Sequence, residues 1–288
     1  MLERNGYPAG VPCWIDLIQA DIDATMAFYG GLFDWSFEVR TPSGAPMRYA
    51  YAVLDGLIVG GVGGPPMGGA DPSGWTTYVC VDSADTTVKE VTAAGGQVLS
   101  PATDIPRSGR VALCADSSGA VFGLWQPAEN RGAQLVNAPG SWNFSELRTA
   151  DPNAATKFYA DVFGWVTESL AMGGSSHTSM WRVPGYGDFL AERDPEIRAR
   201  QAADQAPGGF ADAVALMIPS TNEPSAASDA EWTITFAVAD ADAAVARAVD
   251  LGATVVTPLF DTEYTRMGAV RDPQGAAFTL SQYRPPAH

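Results

Sequence analysis

Two carboxylates at matching places in the chain are the residues best suited to acid–base chemistry. Asp16 and Glu146 lie 130 residues apart, and each follows a large aromatic by two positions, Trp14 in one case and Phe144 in the other. In a β-strand, residues two apart share a face, so each carboxyl group is expected beside its aromatic. Burial among aromatic rings disfavours the ionised carboxylate, which is how proteins prepare a general acid or base. The spacing predicts one acid–base candidate in each half.

A structural interpretation of both carboxylates stays open. Asp16 and Glu146 would then accept hydrogen bonds from the backbone or from a nearby arginine, Arg48 or Arg148. Such bonds keep a carboxylate ionised and inert. Because Asp16 and Glu146 occupy the same position in both copies of a repeat, a solvent-exposed position without a role is the least favoured interpretation.

Three further side chains are candidates for binding or proton transfer. Arg110 and Arg266 correspond in the repeat, and each either holds a ligand carboxylate or pairs with a nearby acid, Asp104 or Asp261. The structural ion pair is the favoured interpretation. His177 carries an imidazole able to move protons near neutral pH, although a single histidine on an edge strand is the plainer explanation.

The elements that must position these side chains are set by an internal duplication. FYGGLFDW at 28–35 recurs as FYADVFGW at 158–165, and the segment at 75–98 recurs at 232–255. The offset rises from 130 to 157, so about 27 extra residues fall near 184–210 of the second copy. The aromatics of the repeated motif are expected to pack a helix against a sheet in each half.

Each half is predicted to contain two βαβββ modules. In the first half, a strand at 12–17 precedes a helix that Asp21 begins, and strand-like segments follow at 35–40, 47–54 and 57–63. The pattern restarts at Trp75 with a strand, a helix from about 84 to 94 and three more strands to Gln126.

Domain limits follow from this repetition. We predict a first domain at 1–127, a polar linker at 128–139 and a second domain at 140–288 with a helical insertion near 184–210. The insertion contains Asp194-Pro195-Glu196, which can cap a helix over the following residues. Two interpretations of this insertion remain open: it is a lid over the mouth of a pocket, or it is a surface segment without a function.

Four modules with the patterns D-x-x-A-x-x-FY-x-x-x-F-x-W and D-x-x-G-x-x-F-x-L resemble the vicinal oxygen chelate superfamily, which includes glyoxalase I, bleomycin-resistance proteins and extradiol dioxygenases. The resemblance covers roughly 10–127 and 138–284. It implies an α+β fold of two tandem domains, each with paired modules that form a curved sheet with a cleft. Fold alone does not fix function.

The resemblance also implies where metal ligands would lie, and this chain departs from that pattern. The implied positions carry no imidazole or carboxylate; they are Trp14, Phe144, Thr76, Thr233, Gly123, Thr279 and the hairpin near Gly60 and Gly61. Divalent metals need such donors. We therefore expect no metal and no other cofactor.

Aromatic residues are abundant near the expected clefts: Trp14, Tyr49, Tyr51, Trp75, Tyr78, Trp125, Phe144, Trp181, Trp232, Phe236 and Tyr264. If a third of them face the clefts, a flat or polycyclic ligand fits best. The ligand-binding candidates are Trp14, Tyr49, Tyr51, Thr76, Arg110, Phe144, Arg148, Trp181, Thr233, Tyr264 and Arg266, with Asp16, Glu146 and His177 as catalytic candidates.

The leading functional hypothesis is a metal-independent enzyme acting on a small aromatic molecule, since proteins resembling this two-domain arrangement include hydroxylases and accessory enzymes of bacterial secondary metabolism. The alternative is a non-catalytic binder that sequesters a ligand, as bleomycin-resistance proteins do. A metal-dependent glyoxalase or dioxygenase ranks third, because it requires ligands that the sequence lacks.

Charge and hydropathy limit the partners. The net charge of −16 argues against nucleic acid and anionic membranes and admits a cationic ligand. No apolar segment is long enough to span a bilayer, and Cys13, Cys80 and Cys114 lack metal-type spacing. We expect a cytoplasmic protein, monomeric or homodimeric, with buried reduced thiols.

Overall fold

A computed structural model describes residues 3–42, 44–45, 47–65, 74–169, 178–220 and 230–284. Within these ranges the order of elements repeats, as the duplication predicts. None of the helices there is long and apolar enough to cross a membrane.

The first half contains two βαβββ modules, as predicted. Its elements are β1 (Pro12–Ile18), α1 (Ile22–Phe33), β2 (Ser36–Val39), β3 (Tyr49–Leu54), β4 (Leu57–Gly63), β5 (Trp75–Cys80), α2 (Ala84–Ala93), β6 (Gln97–Ile105), β7 (Gly109–Ala115) and β8 (Val121–Pro127). Their eight strands form one sheet in the order β2-β3-β4-β1-β5-β8-β7-β6. The two modules therefore join through β1 and β5, which pair antiparallel.

The second half repeats this plan and adds the insertion. Its elements are β9 (Trp142–Thr149), α3 (Pro152–Phe163), β10 (Val166–Ser169), β11 (Ser179–Arg182), α4 (Tyr186–Ala191), α5 (Ile197–Ala203), a 3-10 helix (Phe210–Asp212), β12 (Ala213–Pro219), β13 (Glu231–Ala237), α6 (Ala241–Asp250), β14 (Thr254–Asp261), β15 (Thr265–Arg271) and β16 (Ala277–Tyr283). The sheet order is β10-β11-β12-β9-β13-β16-β15-β14. The insertion contains α5 where the sequence predicts a helix, preceded by α4, but the N-cap of α5 is Glu196 and no side chain caps it, while Asp194 accepts from Arg200.

The first helix of each half begins and ends in the same way. Asp21 and Asp151 act as N-caps, each accepting a hydrogen bond of 3.0 Å from the backbone three residues on. Pro152 occupies the first turn of α3, where its missing N–H costs nothing. Both helices end in the left-handed conformation, at Asp34 (φ 60°) and at Gly164 (φ 68°). The two caps determine where each helix begins and ends, and therefore which face of the helix its aromatic residues occupy.

The two sheets pack back to back through their central strands. The rings of Trp75 and Phe236 lie 5.2 Å apart in edge contact, and the hydroxyls of Thr77 and Ser145 are hydrogen-bonded at 2.6 Å. We call the face that each sheet turns to the other half its inner face, and the opposite face its outer face. Strand alternation then places Asp16 and Glu146 on the outer faces.

The helix after each first strand packs against the other half as well as its own. On α1, the Phe33 ring lies 4.8 Å from Phe236 of the second half, and on α3 the Phe158 ring lies 6.0 Å from Phe122 of the first half. The expectation that each motif packs within its own half was incomplete. Sequence periodicity shows that a helix face is apolar but does not identify the sheet that covers it.

Two equivalent hydrogen-bond chains lock the halves together. Tyr29 donates to Asp272 at 3.0 Å and accepts from the Trp75 indole at 3.0 Å. In the opposite direction, Tyr159 donates to Asp116 at 3.0 Å and accepts from the Trp232 indole at 2.8 Å. Every one of these phenol oxygens is buried, so each bond satisfies a group that water does not reach.

Residues 128–139, predicted as a polar linker, lie against the first half. The amide of Ala133 donates to the Cys13 carbonyl at 2.8 Å, and that of Gln134 donates to the Ile58 carbonyl at 2.6 Å. Leu135 is buried. The segment is thus docked along its length, which gives the path between the halves a defined course.

Candidate active site

The Asp16 carboxyl group lies on the outer face of the first sheet with both of its oxygens engaged. Tyr78 donates to one oxygen and Tyr49 to the other, each at 3.0 Å, and the Trp14 indole donates to the Tyr49 hydroxyl at 3.1 Å. Burial raises the pKa of Asp16 to about 7, and the two phenol hydrogen bonds oppose that shift. Its partners are tyrosines, because Arg48 pairs elsewhere.

Aromatic rings fill the outer face of the first sheet. A Cβ added to Gly61 would lie 2.1 Å from the Tyr49 hydroxyl, and one added to Gly123 would lie 1.9 Å from the Tyr78 ring. Neither position has room for a longer side chain. The rings of Trp14 and Tyr51 pack edge to face beside them at 5.4 Å. Asp16 is therefore held in a closed aromatic cluster.

Glu146 occupies the equivalent position in the second sheet but meets fewer partners. The Thr235 hydroxyl donates to one carboxyl oxygen at 3.1 Å, and no other side chain in the described ranges donates to this group. Burial raises the pKa of Glu146, while the Thr235 hydrogen bond and the charge of Arg148 oppose the shift. Arg148 is itself exposed. The second carboxyl oxygen of Glu146 accepts no side-chain hydrogen bond within the described ranges, although the residue is buried.

A cleft of about 640 Å³, including its open mouth, lies at the end of the second sheet where β9 and β12 begin. Four parts of the chain form its walls: the segment before β1, the segment before β9, the first residues of β9 and β12, and the insertion. Its lining includes Arg4, Tyr7, Asn137, Trp142, Asn143, Phe144, Tyr186, Leu190, Ile197, Gln201, Phe210 and Val214. The space enclosed within it is about 110 Å³, and its lining mixes aromatic and polar side chains, as small-molecule sites do.

Two aromatic rings mark the inner end of this cleft. Phe144 and Phe210 are both partly exposed, and their rings are stacked with centroids 6.4 Å apart and planes inclined by 26°. Glu146 follows Phe144 by two residues on the same face, about 7 Å along the strand. Phe144 lines the cleft, whereas Glu146 lies beyond it and is buried.

The insertion is held by one hydrogen bond between its own two ends and by another to the turn before β15. Near its start, the Gly187 amide donates to Asp212 at 2.6 Å. Near its end, the Tyr264 hydroxyl donates to the Gln205 carbonyl at 3.5 Å. None of the residues of α5 is buried, although its Ile197 lines the cleft. The lid and the surface excursion both remain open as interpretations of the insertion.

The positions implied as metal ligands do not fit a metal in either half. Thr76 and Thr233 pair with Asp16 and Glu146 across the sheets and bring only hydroxyl groups. Thr233 directs its hydroxyl to the Glu146 backbone carbonyl at 3.4 Å. Among the residues described, no three His, Cys, Asp or Glu side chains cluster as a metal site would require.

The two matched arginines form ion pairs. Arg110 contacts Asp104 at 2.7 Å and also Asp85, and Arg266 contacts Asp261 at 3.1 Å. The structural interpretation of these pairs is confirmed. Neither arginine lines the cleft.

Trp181 was expected to face a ligand, and this was wrong. It pairs with Ala215 in β12, one residue away from Leu216, which pairs with Glu146. Alternation therefore places Trp181 on the inner face, where its fully buried ring packs 4.9 Å from Tyr159. Trp75, Trp232 and Phe236 also belong to the buried core between the halves.

Sequence reasoning missed several residues that line the cleft, and His177 lies outside the described residues. Arg4 and Tyr7 precede the first predicted strand, and Phe210 ends the insertion, so none belongs to a repeated motif. The length difference between the copies was the available signal for Phe210. No comparable signal marks Arg4, because the segment before the first predicted strand carries no periodicity.

Family comparisons cover both halves of the chain. Residues 13–124 match the model described as Glyoxalase/Bleomycin resistance protein/Dioxygenase superfamily, and residues 145–281 match the model described as Glyoxalase-like domain.

Two relatives align over nearly the full length. A protein of Mycobacterium tuberculosis (strain CDC 1551 / Oshkosh) named Putative glyoxylase CFP32 is 33% identical over 288 residues, covering 99% of each chain. Anthracycline biosynthesis protein DnrV of Streptomyces peucetius is 32% identical, covering 96% of this chain and 95% of its own.

Solved structures share the fold. A Mn(II)-bound glyoxalase from Novosphingobium aromaticivorans superimposes with a TM-score of 0.57 at 13% identity, over 95% of this chain and 82% of that one. The 2,3-dioxygenase LapB from Pseudomonas sp. KL28 gives 0.57 at 12% identity, over 98% and 96%. At these identities the likeness concerns architecture alone.

Proposed function

Because this chain belongs to the glyoxalase, bleomycin-resistance and dioxygenase superfamily, also called the vicinal oxygen chelate superfamily, we propose that its second half binds a flat organic molecule beneath the insertion and transfers a proton on it through Glu146. The observation that carries this proposal is the state of the Glu146 carboxyl group. It is buried, its pKa is raised, and Thr235 is its one side-chain donor in the described ranges.

The choice of the second half rests on the contrast with Asp16. Both oxygens of Asp16 accept hydrogen bonds from tyrosines whose rings fill the surrounding face. A ligand would have to displace those rings to reach it. Beside Glu146, by contrast, the stacked pair Phe144 and Phe210 lies at the end of an existing cleft. Geometry therefore favours chemistry in one half and a structural role for the equivalent carboxylate in the other.

An aromatic ligand is favoured by the walls of the cleft and by the relatives. Trp142, Phe144 and Phe210 supply aromatic surface, on which flat rings stack. Two relatives are named for anthracycline biosynthesis, and anthracyclines are polycyclic aromatic compounds. This supports a role in secondary metabolism for the present protein.

The proposed step needs no metal. In its protonated form, Glu146 delivers a proton to a carbon of an electron-rich ring, and as a carboxylate it removes the second proton from that same carbon. The ring is unchanged at the end of the cycle, and no oxidant takes part. Thr235 holds one carboxyl oxygen throughout, which leaves the other to face the ligand.

The test uses 1,3-dihydroxynaphthalene, a flat ring system whose carbon-bound hydrogens exchange with solvent by this route. Protein dialysed against a chelator is incubated with the compound in D₂O, and deuterium incorporation is followed by NMR. We expect exchange faster than in buffer, and a loss of that acceleration in Glu146→Gln. The matched control Glu129→Gln removes an exposed carboxylate that pairs with Arg107, and it should exchange as the wild type does.

Two outcomes would overturn the proposal in different ways. If calorimetry shows binding but exchange equals that in buffer, the protein sequesters its ligand, as the binding alternative requires. If exchange appears only when Mn²⁺, Zn²⁺ or Fe²⁺ is added, the chemistry depends on a metal and Glu146 is not its source.

A further inference from the structure

The cleft of the second half lies where the chain fills an equivalent crevice in the first half. The parallel ladder between β1 and β4 begins at Asp16 and Gly61, and the one between β9 and β12 begins at Glu146 and Leu216. The first residues of the two strands are therefore not paired with each other in either half. A crevice lies between them.

The register of the sheets shows which residues of the two crevices correspond. β3 and β4 pair with one irregularity, after which Val53 lies opposite Ile58. β11 and β12 repeat this irregularity, and Arg182 lies opposite Ala213. Ile58 near the start of β4 and Ala213 at the start of β12 are therefore equivalent.

The first strand of each half carries a matching bulge. The pairing of β1 with β5 skips Cys13, and the pairing of β9 with β13 skips Asn143. The extra residue of a bulge is left unpaired in the ladder, so its backbone groups turn to other partners. Cys13 and Asn143 are therefore equivalent as well.

In the first half, residues 133–135 occupy the crevice. The Ala133 amide donates to the Cys13 carbonyl at 2.8 Å, and the Gln134 amide donates to the Ile58 carbonyl at 2.6 Å. Leu135 is buried beside them. The two carbonyl groups of this crevice thus bind two consecutive amide N–H groups.

In the second half, the equivalent residues line the open cleft. Asn143, Phe144 and Ala213 are partly exposed and belong to its lining. Outside the strand ladders, neither the Asn143 carbonyl nor the Ala213 carbonyl accepts a hydrogen bond from a residue of the described ranges. The cleft therefore has the equivalents of both acceptors, without a described segment that donates to them.

We propose that the cleft binds an aromatic ring joined to a secondary amide, with the ring against Phe144 and Phe210 and the amide N–H on the Asn143 carbonyl. A carbonyl oxygen is satisfied by a donor, and a secondary amide offers the same donor that Ala133 gives to the first crevice. This inference rests on the proposed function for the aromatic part of the ligand and adds the group attached to it.

Isothermal titration calorimetry with two probes of the same shape tests this donor. N-methyl-2-naphthamide has one amide N–H, and methyl 2-naphthoate has an ester oxygen in its place. We expect the amide to bind at least about fivefold more tightly, the contribution of one neutral hydrogen bond. Without an acceptor in the cleft, the ester should bind more tightly instead, because its burial removes no N–H from water.

A pair of variants tests the location. Ala213→Leu narrows the crevice and should lose at least about fivefold in affinity for the amide, the same hydrogen bond. Ala150→Leu is the matched control, at an exposed position of the second half outside the lining of the cleft, and it should bind as the wild type does.

NMR on the wild type identifies the acceptor. Asn143-Phe144 is the one Asn–Phe pair in the sequence, so protein with ¹³C-carbonyl asparagine and ¹⁵N-phenylalanine gives a single correlated carbonyl signal, that of Asn143. This signal should move downfield when the amide is bound, as carbonyl carbons do on accepting a hydrogen bond, and should not do so when the ester is bound.

Equal or tighter binding of the ester, or an Asn143 signal that a bound amide leaves in place, would show that the inference is wrong and would leave the proposed function standing. If neither probe binds, the inference is wrong, and deuterium exchange into 1,3-dihydroxynaphthalene still decides the proposed function. Circular dichroism establishes whether Ala213→Leu is folded, and the NMR measurement tests the inference whatever that result.

Discussion

Glu146 occupies in β9 the position that Asp16 occupies in β1, yet Asp16 accepts two side-chain hydrogen bonds and Glu146 accepts one. The difference comes from what stands around each strand. Tyrosines from β3 and β5 close over Asp16, whereas an insertion bridges the face that carries Glu146 and leaves a cleft at its end. Both carboxyl groups are buried, but only the strand that carries Glu146 begins beside a cleft.

Replacing Glu146 by Gln should separate binding from proton transfer. The amide keeps the size of the side chain and its contact with Thr235, so affinity for 1,3-dihydroxynaphthalene should change little. Deuterium exchange should slow by about 100-fold, the usual contribution of a positioned acid or base. An exchange rate within a few-fold of wild type would remove Glu146 from the mechanism.

The pH dependence of that exchange has a predicted sign. Burial raises the pKa of Glu146, so the acid form persists to higher pH than in an exposed glutamic acid. Delivery of the first proton needs the acid form, so the enzymatic rate should fall as pH rises through the raised pKa. A rate profile recorded at several pH values checks this, and a rate that rises across the same range would contradict it.

Asp16 should make stability depend on pH in the opposite sense from most carboxylates. Its folded pKa is about 7, whereas an unfolded aspartate titrates near 4. Between these values the folded protein holds a proton that the unfolded chain has released, so stability falls as pH rises, by roughly 1 kcal/mol per pH unit from this group. Urea unfolding at several pH values should show a flatter dependence in Asp16→Asn, which cannot titrate. Equal slopes in the two proteins would show that the pKa is ordinary.

Truncating Phe210 should weaken ligand binding more than it weakens the fold. Its ring is partly exposed and stacks with Phe144, and such aromatic contacts contribute about 1 kcal/mol. Phe210→Ala should therefore bind 2-naphthamide about fivefold to tenfold less tightly. Phe260→Ala, which truncates an exposed ring on the edge strand β14, is the control and should bind normally. The same loss of affinity in both variants would show that the ligand does not contact Phe210 of the insertion.

Removing the Tyr29 hydroxyl should destabilise the whole molecule. In Tyr29→Phe, Asp272 loses a donor and the buried Trp75 indole loses its acceptor, at a cost of roughly 1–3 kcal/mol. Tyr159→Phe should cost about the same, because its partners are equivalent. Tyr283→Phe alters a half-exposed phenol and should stay within about 0.5 kcal/mol. Urea unfolding measures all three, and a neutral Tyr29→Phe would show that the cross-half bond is not formed.

The sequence was sufficient to predict the order of elements and the faces of the first strands. The repeats fixed the two halves, strand alternation placed Asp16 and Glu146 on the outer faces, and the offset change located the insertion. These are local patterns, set by neighbours along one chain.

What the sequence did not predict depends on contacts between distant segments. The face of Trp181 is set by the pairing of β11 with the distant strand β12, so its local sequence predicted the wrong face. The rings of Tyr49 and Tyr78 close over Gly61 and Gly123, and no spacing rule reports such an approach. Arg4 reaches the cleft through backbone pairing with residues 134–135, which a reading of motifs does not detect.

The reciprocal bonds of Tyr29 to Asp272 and of Tyr159 to Asp116 have an evolutionary consequence. Each helix pairs with the sheet of the other copy, which is the arrangement that a twofold homodimer has across its axis. An unfused ancestor with these contacts would carry two identical sites, and any substitution would alter both at once. Fusion of the two genes frees each copy to mutate alone. In the present chain the two copies differ accordingly, since tyrosines close over Asp16 and an insertion lies beside the strand of Glu146.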